Sequence, residues 1–329
     1  MTVTLIFRNL SVSLSVPSLQ QFKEWSGVDG LTFVEGTGKN SVTAKFTMPT
    51  RDVVLTAVYE DIPDNADQVV INYGKPNERT LTASMPYLVN GEVSNTGGVG
   101  TTAYFDASKG TLYLQGFSGD NIYSNKDITV DLRLENTLTF NGGTVGLMSE
   151  NGDITITSGN SGKLTIVDNW YGKLVGIYAP KGSVTISGSA DVSVTVDQSN
   201  VSGYTSYGIR AQNGIDIKNS ASFAATVSGY ENENETANGL RVDGSGADIV
   251  INTTGDVTID TSATDGTYYG SHAVYNASGK NILTNVGTMT LKWDDCLYDM
   301  GGSTIEADAS PEWSYPEGAV KKVETEGEI

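Results

Sequence analysis

The sequence predicts an all-β protein: a right-handed parallel β-helix, or solenoid, of about 31 residues per rung, preceded by a small β-rich domain. Glycines recur at nearly constant intervals along the second half of the chain. The intervals contain short runs in which apolar and polar residues alternate, a pattern typical of half-buried strands. A fixed period of this length is typical of repeat architectures. The periodic glycines are Gly146, Gly176, Gly208, Gly239 and Gly270.

Each interval holds three short strands joined by turns rich in Gly, Asn and Ser. In the second copy these strands are residues 177–179, 184–186 and 192–196. One such copy cannot bury its apolar side chains alone, so successive copies must stack. An antiparallel sandwich is the alternative, but a sandwich has no reason to keep a glycine at a fixed period. Partial copies over 122–140 and 273–291 extend the repeat at both ends.

The first sixty residues form strand-like alternating runs before the repeat begins, with a helical turn expected near residues 19–24. This segment carries five basic and five acidic residues, whereas residues 61–329 carry 15 basic and 34 acidic ones. The acidic stretch that follows residue 60 contains Pro63 and has no periodicity, as is typical of a linker. The sequence therefore divides into a β-rich domain at 1–60, a linker at 61–67, a β-helix at 68–310 and an acidic tail or cap at 311–329.

Four blocks in the first domain occur in the order typical of a known family. They are FKEWSG at 22–27, LTF at 31–33, FTMP at 46–49 and VVLTAVY at 53–59. In these blocks the sequence resembles the divergent internalin B-repeat, a spacer module of Gram-positive surface proteins. The resemblance implies a small ubiquitin-like β fold without catalytic residues.

Two aromatic residues of this domain, Trp25 and Phe46, are candidates for an exposed binding patch. The competing interpretation is a packed core. We favour the core, because so small a unit needs its aromatic side chains inside.

A second resemblance covers the start of the repeat region. The segments 88–93, 103–114, 127–132 and 135–139 are similar to the opening of clostridial and lachnospiral surface proteins. The β-helical region of those proteins is often called a carbohydrate-binding domain. The resemblance implies an extracellular, cell-wall-associated protein that engages plant or host glycans.

Composition excludes several classes of function. The 20 Lys and Arg residues face 39 Asp and Glu residues, a formal net charge of −19. Such a chain lacks the basic face that nucleic-acid phosphates require, and an anionic membrane is excluded for the same reason. No apolar run approaches the roughly 20 residues of a membrane helix. A single histidine, His272, and a single cysteine, Cys296, exclude disulfides within the chain and zinc sites that need several such ligands.

The start of the chain bears on location. It opens inside a strand pattern rather than with a basic region followed by an apolar stretch, so a signal peptide is not expected there. Two interpretations compete: a cytoplasmic protein, or a fragment of a longer secreted protein with its signal peptide and anchor elsewhere. We favour the fragment. The expected location is extracellular or at the cell surface.

Aromatic residues recur in the loop between the third strand of one rung and the first strand of the next. Equivalent loops stack along one edge of a solenoid, which would create a row of rings beside carboxylates and amides. Flat rings against sugar C–H groups suit a polysaccharide groove. The alternative is that these rings shield a corner of the core. The predicted carbohydrate-binding residues are Trp170, Tyr171, Tyr204, Tyr207, Tyr230, Tyr268 and Tyr269.

Other candidate sites lack the spacing that their chemistry needs. The acidic segments 243–248 and 293–299 do not have the ligand pattern of a calcium loop, and adjacent aspartates in a strand point to opposite faces. Arg210 and Arg241 lie one period apart and would suit a lyase only beside a matched set of calcium carboxylates. His272 is expected at a strand edge. The sequence therefore predicts no catalytic residues, no metal ligands and no cofactor, and no motif supports Ca²⁺.

These observations favour a non-enzymatic bacterial cell-surface module, used for adhesion or for polysaccharide binding along an edge of the β-helix. The expected partner is a glycan of the cell wall or host matrix. Two alternatives stay open: a polysaccharide lyase or glycoside hydrolase of the β-helix class, and a purely structural stalk.

Overall fold

A computed structural model describes the backbone of residues 2–4, 11–12, 20–33, 39, 44–47, 54–61, 68–140, 145–168, 174–197, 205–228, 237–261, 272–285, 288–294 and 320–326. Every regular element within these ranges is a β-strand, as the sequence predicts. The chain divides into two compact units, Met1–Ala66 and Asp67–Ile329. Among the described residues, no helix is long and apolar enough to cross a membrane.

The first unit contains two three-stranded antiparallel sheets, with strand orders β1-β6-β3 and β2-β5-β4. Trp25 and Phe46 are buried, with 1% and 5% of their surface exposed. The rings of Phe33 and Phe46 pack edge to face, 6.3 Å between centroids. The packed-core interpretation is therefore confirmed. The strands are β1 (Thr2–Thr4), β2 (Ser11–Val12), β3 (Gln20–Ser26), β4 (Thr32–Phe33), β5 (Ala44–Thr47) and β6 (Val54–Asp61).

The helical turn expected near residues 19–24 is wrong, because residues 20–24 belong to strand β3. The register of β3 against β6 shifts between Phe22 and Glu24, which marks a β-bulge. A bulge interrupts the two-residue alternation by which a strand is recognised in sequence.

The second unit begins with antiparallel strands that cap the solenoid. Strand β7 pairs antiparallel with β8 on one side and with β14 on the other. Strand β11 lies between β9 and β12 and is antiparallel to both. The strands of this region are β7 (Gln68–Ile71), β8 (Arg79–Thr82), β9 (Tyr87–Val89), β10 (Glu92–Ser94), β11 (Thr101–Asp106), β12 (Thr111–Gln115), β13 (Ser118–Gly119), β14 (Ile122–Ser124), β15 (Ile128–Arg133) and β16 (Glu135–Phe140).

Four central turns of parallel β-solenoid follow, each with three strands. Their first strands begin at Val145, Val175, Ser206 and Ala237, which confirms the period predicted from the glycines. The turns contain β17 (Val145–Ser149), β18 (Ile154–Ser158), β19 (Lys163–Asp168), β20 (Val175–Ala179), β21 (Val184–Gly188), β22 (Asp191–Asp197), β23 (Ser206–Ala211), β24 (Ile215–Asn219), β25 (Ser222–Ser228), β26 (Ala237–Val242), β27 (Ile249–Thr253) and β28 (Val257–Asp260). Beyond them lie β29 (His272–Asn276), β30 (Asn281–Asn285), β31 (Thr288–Asp294) and β32 (Val320–Glu326).

Equivalent strands of successive turns pair in parallel and form three faces. The first face carries β14, β17, β20, β23, β26 and β29; the second carries β12, β15, β18, β21, β24, β27 and β30; the third carries β13, β16, β19, β22, β25, β28, β31 and β32. The parallel β-helix predicted from the sequence is thus confirmed, while its right-handed sense stays a prediction.

The core consists of apolar columns that run through the turns. Leu147, Ile177, Ile209 and Leu240 are register partners on the first face, and all four are 0% exposed. Similar columns line the other two faces, because alternate residues of each strand point inward. The hydrophobic effect therefore holds the turns to one another.

Four of the five periodic glycines have a steric cause, and the fifth, Gly270, lies outside the described residues. A Cβ atom on Gly176 would overlap Cγ1 of Val194 and lie 2.8 Å from the carbonyl oxygen of Gly208. Gly146, Gly208 and Gly239 would make the same type of contact with the next turn, at 2.8, 2.6 and 2.6 Å from a carbonyl oxygen. The first strand of each turn therefore approaches its neighbour too closely to admit any side chain at this position.

Candidate ligand-binding surfaces

Only Tyr207 of the seven residues predicted to bind carbohydrate lies among the described residues. Tyr207 is 5% exposed, and its ring is covered by the guanidinium groups of Arg210 and Arg241, at 4.8 and 5.7 Å from the ring centroid. The carbohydrate-binding role of the row stays a prediction. Six members lie outside the described residues: Trp170, Tyr171, Tyr204, Tyr230, Tyr268 and Tyr269.

A cleft of about 440 Å³ lies near the capped end of the second face. Its floor is a row of three half-buried tyrosines on neighbouring strands: Tyr87 on β9, Tyr104 on β11 and Tyr113 on β12. These side chains point outward because the strands alternate. Buried neighbours, such as Leu112 and Leu114 beside Tyr113, point inward.

The three rings form a stack across the strands. Tyr104 lies directly opposite Tyr87 on one side and Tyr113 on the other. Ring centroids of Tyr87 and Tyr104 are 4.7 Å apart at an interplanar angle of 26°, and those of Tyr104 and Tyr113 are 5.7 Å apart at 19°. The guanidinium carbon of Arg133 lies 5.2 Å from the centroid of Tyr113. The row therefore ends in a cation–π contact.

Charged and polar groups line the rim of the cleft. Lys109 Nζ lies 2.8 Å from Asp106 Oδ2, and Ser108 Oγ donates a hydrogen bond of 2.6 Å to Asp106 Oδ1. The hydrogen bonds from Lys109 and Ser108 hold the pKa of the Asp106 carboxyl below its usual value. The hydrogen bond to Asp106 in turn raises the pKa of Lys109. Both groups are therefore charged at neutral pH. The rim also contains Thr101, Thr102 and Gln115.

A concave site with aromatic walls and a few polar groups suits a neutral polar ligand with apolar faces. A sugar is such a ligand, since its C–H groups can contact the ring edges while its hydroxyls reach the phenol hydroxyls and the charged groups of the cleft. The described residues include no group of three or more His, Cys, Asp or Glu side chains placed to hold a metal ion. The expectation that no cofactor is used stays a prediction.

Sequence reasoning missed this cleft as a site, although two of its tyrosines lie in a segment used for the second family resemblance. The available signal was an outward-facing tyrosine in each of three short strands. Tyr87 precedes the buried Leu88, Tyr104 lies between the buried Ala103 and Phe105, and Tyr113 lies between the buried Leu112 and Leu114.

A second surface lies on the outside of the first face. Tyr178, Arg210, Arg241 and Tyr275 are register partners on four successive strands, and we call them, with Tyr207 and Asp243, the arginine column. Asp243 bridges the two arginines: Arg210 Nε donates to its Oδ2 and Arg241 Nε to its Oδ1, both at 2.7 Å.

Each arginine of this column also lies between two rings. Arg210 Cζ is 5.5 Å from the centroid of Tyr178, and Arg241 Cζ is 4.4 Å from that of Tyr275. Burial alone would raise the pKa of the Asp243 carboxyl, but the hydrogen bonds from Arg241 and Arg210 outweigh burial and lower this pKa. Asp243 is therefore ionised at neutral pH, and the column carries one excess positive charge.

The same face begins with a tyrosine pair. The rings of Tyr73 and Tyr123 stack with centroids 4.5 Å apart, and the Tyr123 hydroxyl donates to Glu150. Burial and this hydrogen bond raise the pKa of Tyr123. The pair therefore presents a neutral phenol next to a carboxylate.

The stacked turns and the outward aromatic surfaces define a β-solenoid module joined to a β-rich domain at residues 1–66. Residues 19–63 match the family described as the divergent InlB B-repeat domain. This match confirms the first resemblance, and the two features together fit a surface or structural module. No curated protein and no solved structure matches the chain. A Gram-positive origin stays a prediction.

Proposed function

We propose that this protein is a non-enzymatic cell-surface module that binds carbohydrate in the tyrosine cleft. The observation that carries the proposal is the stacked row of Tyr87, Tyr104 and Tyr113 at the floor of a cleft with a charged rim. Isolated exposed rings are common on protein surfaces, but three rings stacked across neighbouring strands form one continuous platform of ring edges and phenol hydroxyls, and these hydroxyls can hydrogen-bond to sugar hydroxyls.

The length of the platform favours an oligosaccharide over a single sugar. The rings and Arg133 lie on four adjacent strands, β9, β11, β12 and β15. Neighbouring strands are about 4.8 Å apart, so the row extends over about 14 Å. A ligand of this length contacts several rings at once, which offsets the loss of freedom on binding.

A surface location is supported by the B-repeat match at residues 19–63, since the internalin B-repeat is a spacer module of surface proteins. This support is independent of the cleft. The location and the ligand are therefore separate parts of the proposal.

A binding role fits the cleft better than catalysis does. A glycosidase needs a carboxylic acid with a raised pKa to protonate the leaving group. Asp106 has the opposite property, because its ion pair with Lys109 keeps it ionised. A glycoside hydrolase would therefore need a carboxylic acid other than Asp106.

The test begins with a glycan array of the intact chain. The oligosaccharide that binds most strongly on the array is then titrated calorimetrically into the wild type and into the Tyr104→Ala variant. We expect binding to weaken by about tenfold or more, because truncating a central aromatic anchor costs about 2 kcal/mol. Tyr73→Ala is the matched control, since Tyr73 is also half of a stacked tyrosine pair and lies outside the cleft. The control should bind as the wild type does.

Two outcomes would contradict the proposal. One is a binding result: either no glycan binds, or the Tyr104→Ala and Tyr73→Ala variants bind the oligosaccharide with equal affinity. The other is the release of unsaturated uronides from pectate or of reducing ends from β-glucans, which would favour the enzyme alternative. A stalk without ligands would give neither binding nor turnover.

A further inference from the structure

Most hydrogen-bond donors of the two column arginines have no acceptor among the described residues. A guanidinium group carries five N–H donors. Among the described residues, the hydrogen bonds of Arg210 and Arg241 go from Nε to Asp243. Four Nη donors of each arginine therefore remain, and both side chains reach solvent, with 20% and 25% of their surface exposed.

The column is also pre-organised. Asp243 fixes Nε of both guanidinium groups, and the rings of Tyr178, Tyr207 and Tyr275 pack against their planes. The two arginines are register partners on adjacent strands, which are about 4.8 Å apart. Little rotamer entropy remains to be lost when a ligand binds, and this lowers the cost of binding.

Charge and geometry identify the ligand chemistry. One carboxylate shared by two arginines leaves one positive charge uncompensated, in a chain whose formal net charge is −19. Guanidinium Nη groups match the two oxygens of a carboxylate in a bidentate arrangement. Because guanidinium groups already cover the tyrosine faces, the column offers N–H donors rather than rings for stacking sugars.

We propose that Arg210 and Arg241 bind a carboxylate of an acidic peptide segment from a partner protein. The composition of the column supports a protein partner, because Tyr, Arg and Met are enriched at the centres of protein interfaces. Met148 continues the column as the register partner of Tyr178. This site is on a different face from the tyrosine cleft, so the proposal of peptide binding does not depend on whether the cleft binds carbohydrate.

The experiment is calorimetric titration of the whole chain with a capped pentaglutamate peptide at about 150 mM salt, where screening limits repulsion by the acidic chain to about 8 Å. We expect saturable binding. Capped pentaglutamine, which has the same length without charge, should bind at least about tenfold more weakly. Arg210→Gln and Arg241→Gln should each weaken pentaglutamate binding by about tenfold.

Two variants serve as controls. Arg79→Gln removes another ion-paired arginine, which binds Glu92 outside the column, and should leave binding unchanged. Asp243→Asn removes the negative charge beside the two arginines, while its amide oxygen can still accept one of the two Nε hydrogen bonds. The lost repulsion of the ligand carboxylate should outweigh the partial loss of orientation and tighten pentaglutamate binding several-fold, and a merely structural role of the column would not have this effect. Melting temperatures of all variants report whether each one folds.

Three results would overturn the proposal. The site is rejected if pentaglutamate does not saturate, or if binding survives in both arginine variants. The choice of a peptide is rejected if trigalacturonate, a carboxylate-bearing sugar, binds as tightly and with the same dependence on Arg210 and Arg241.

Discussion

Gly176 shows how one atom sets the packing of the turns. An added methyl group would overlap Val194 Cγ1 and lie 2.8 Å from the Gly208 carbonyl oxygen. One of these contacts is to backbone, which cannot rotate away. We expect Gly176→Ala to lower the free energy of unfolding by about 1–3 kcal/mol, the usual cost of overpacking. Urea denaturation followed by circular dichroism measures this change.

Gly159 is the matched control for that substitution. It lies in an exposed turn of the same solenoid, and a Cβ atom there would have nothing within 4 Å. Gly159→Ala should change the free energy of unfolding by no more than about 0.5 kcal/mol. Equal effects of the two substitutions would show that the glycine period has another cause than steric contact.

At the scale of elements, the corners of the solenoid depend on buried polar side chains. Asn136, at the start of β16, is 1% exposed. Its Oδ1 accepts a hydrogen bond from the backbone N–H of Phe117 at 3.0 Å. Its Nδ2 donates to the carbonyl oxygens of Arg133, Leu134 and Lys163 at 3.1, 3.3 and 3.1 Å. One amide thus joins the backbones of three consecutive turns.

We expect Asn136→Ala to lower the free energy of unfolding by about 2 kcal/mol or more, because it leaves several buried backbone groups without a partner. Thermal unfolding measures the effect. Asn160→Ala, in an exposed turn, serves as the control and should be nearly neutral. If the two variants unfold at the same temperature, water replaces the Asn136 amide and the corner does not depend on it.

The elements also show what the sequence could predict. The period and the inward columns were predictable, because each turn repeats the same alternation around a sterically required glycine. Arg210 and Arg241 were placed at equivalent positions for the same reason. The tyrosine cleft was not predicted, because Tyr87, Tyr104 and Tyr113 are unequally spaced along the chain and have no period. They meet through the register of antiparallel strands, which depends on how the intervening turns fold.

For the whole molecule, the division into Met1–Ala66 and Asp67–Ile329 has a thermodynamic consequence. Each unit has its own sheets and its own buried aromatic or aliphatic core. We expect calorimetry to record two unfolding transitions, because compact units with separate cores unfold separately. We also expect limited proteolysis to cut within 60–67, where the sequence is acidic and contains Pro63.

A fragment covering residues 68–329 provides the control for this prediction. It should retain one transition at the temperature that it has in the intact chain. A single transition for the intact chain, or loss of solenoid folding in the fragment, would mean that the two units are one cooperative structure. Cleavage elsewhere with 60–67 protected would argue against the same division.

The antiparallel cap affects whether copies of the solenoid can polymerise end to end. A stack of parallel turns can lengthen at its ends, because an uncovered edge strand can pair with a strand of another chain. Strand β7 runs antiparallel to β14, and its other edge pairs with β8, which is only four residues long. On β8, Arg79 bonds to the carbonyl oxygen of Gly91 and to the Glu92 carboxylate at 3.2 and 2.7 Å. The opening strands of the solenoid unit therefore act as a chain terminator, which opposes head-to-tail growth at this end.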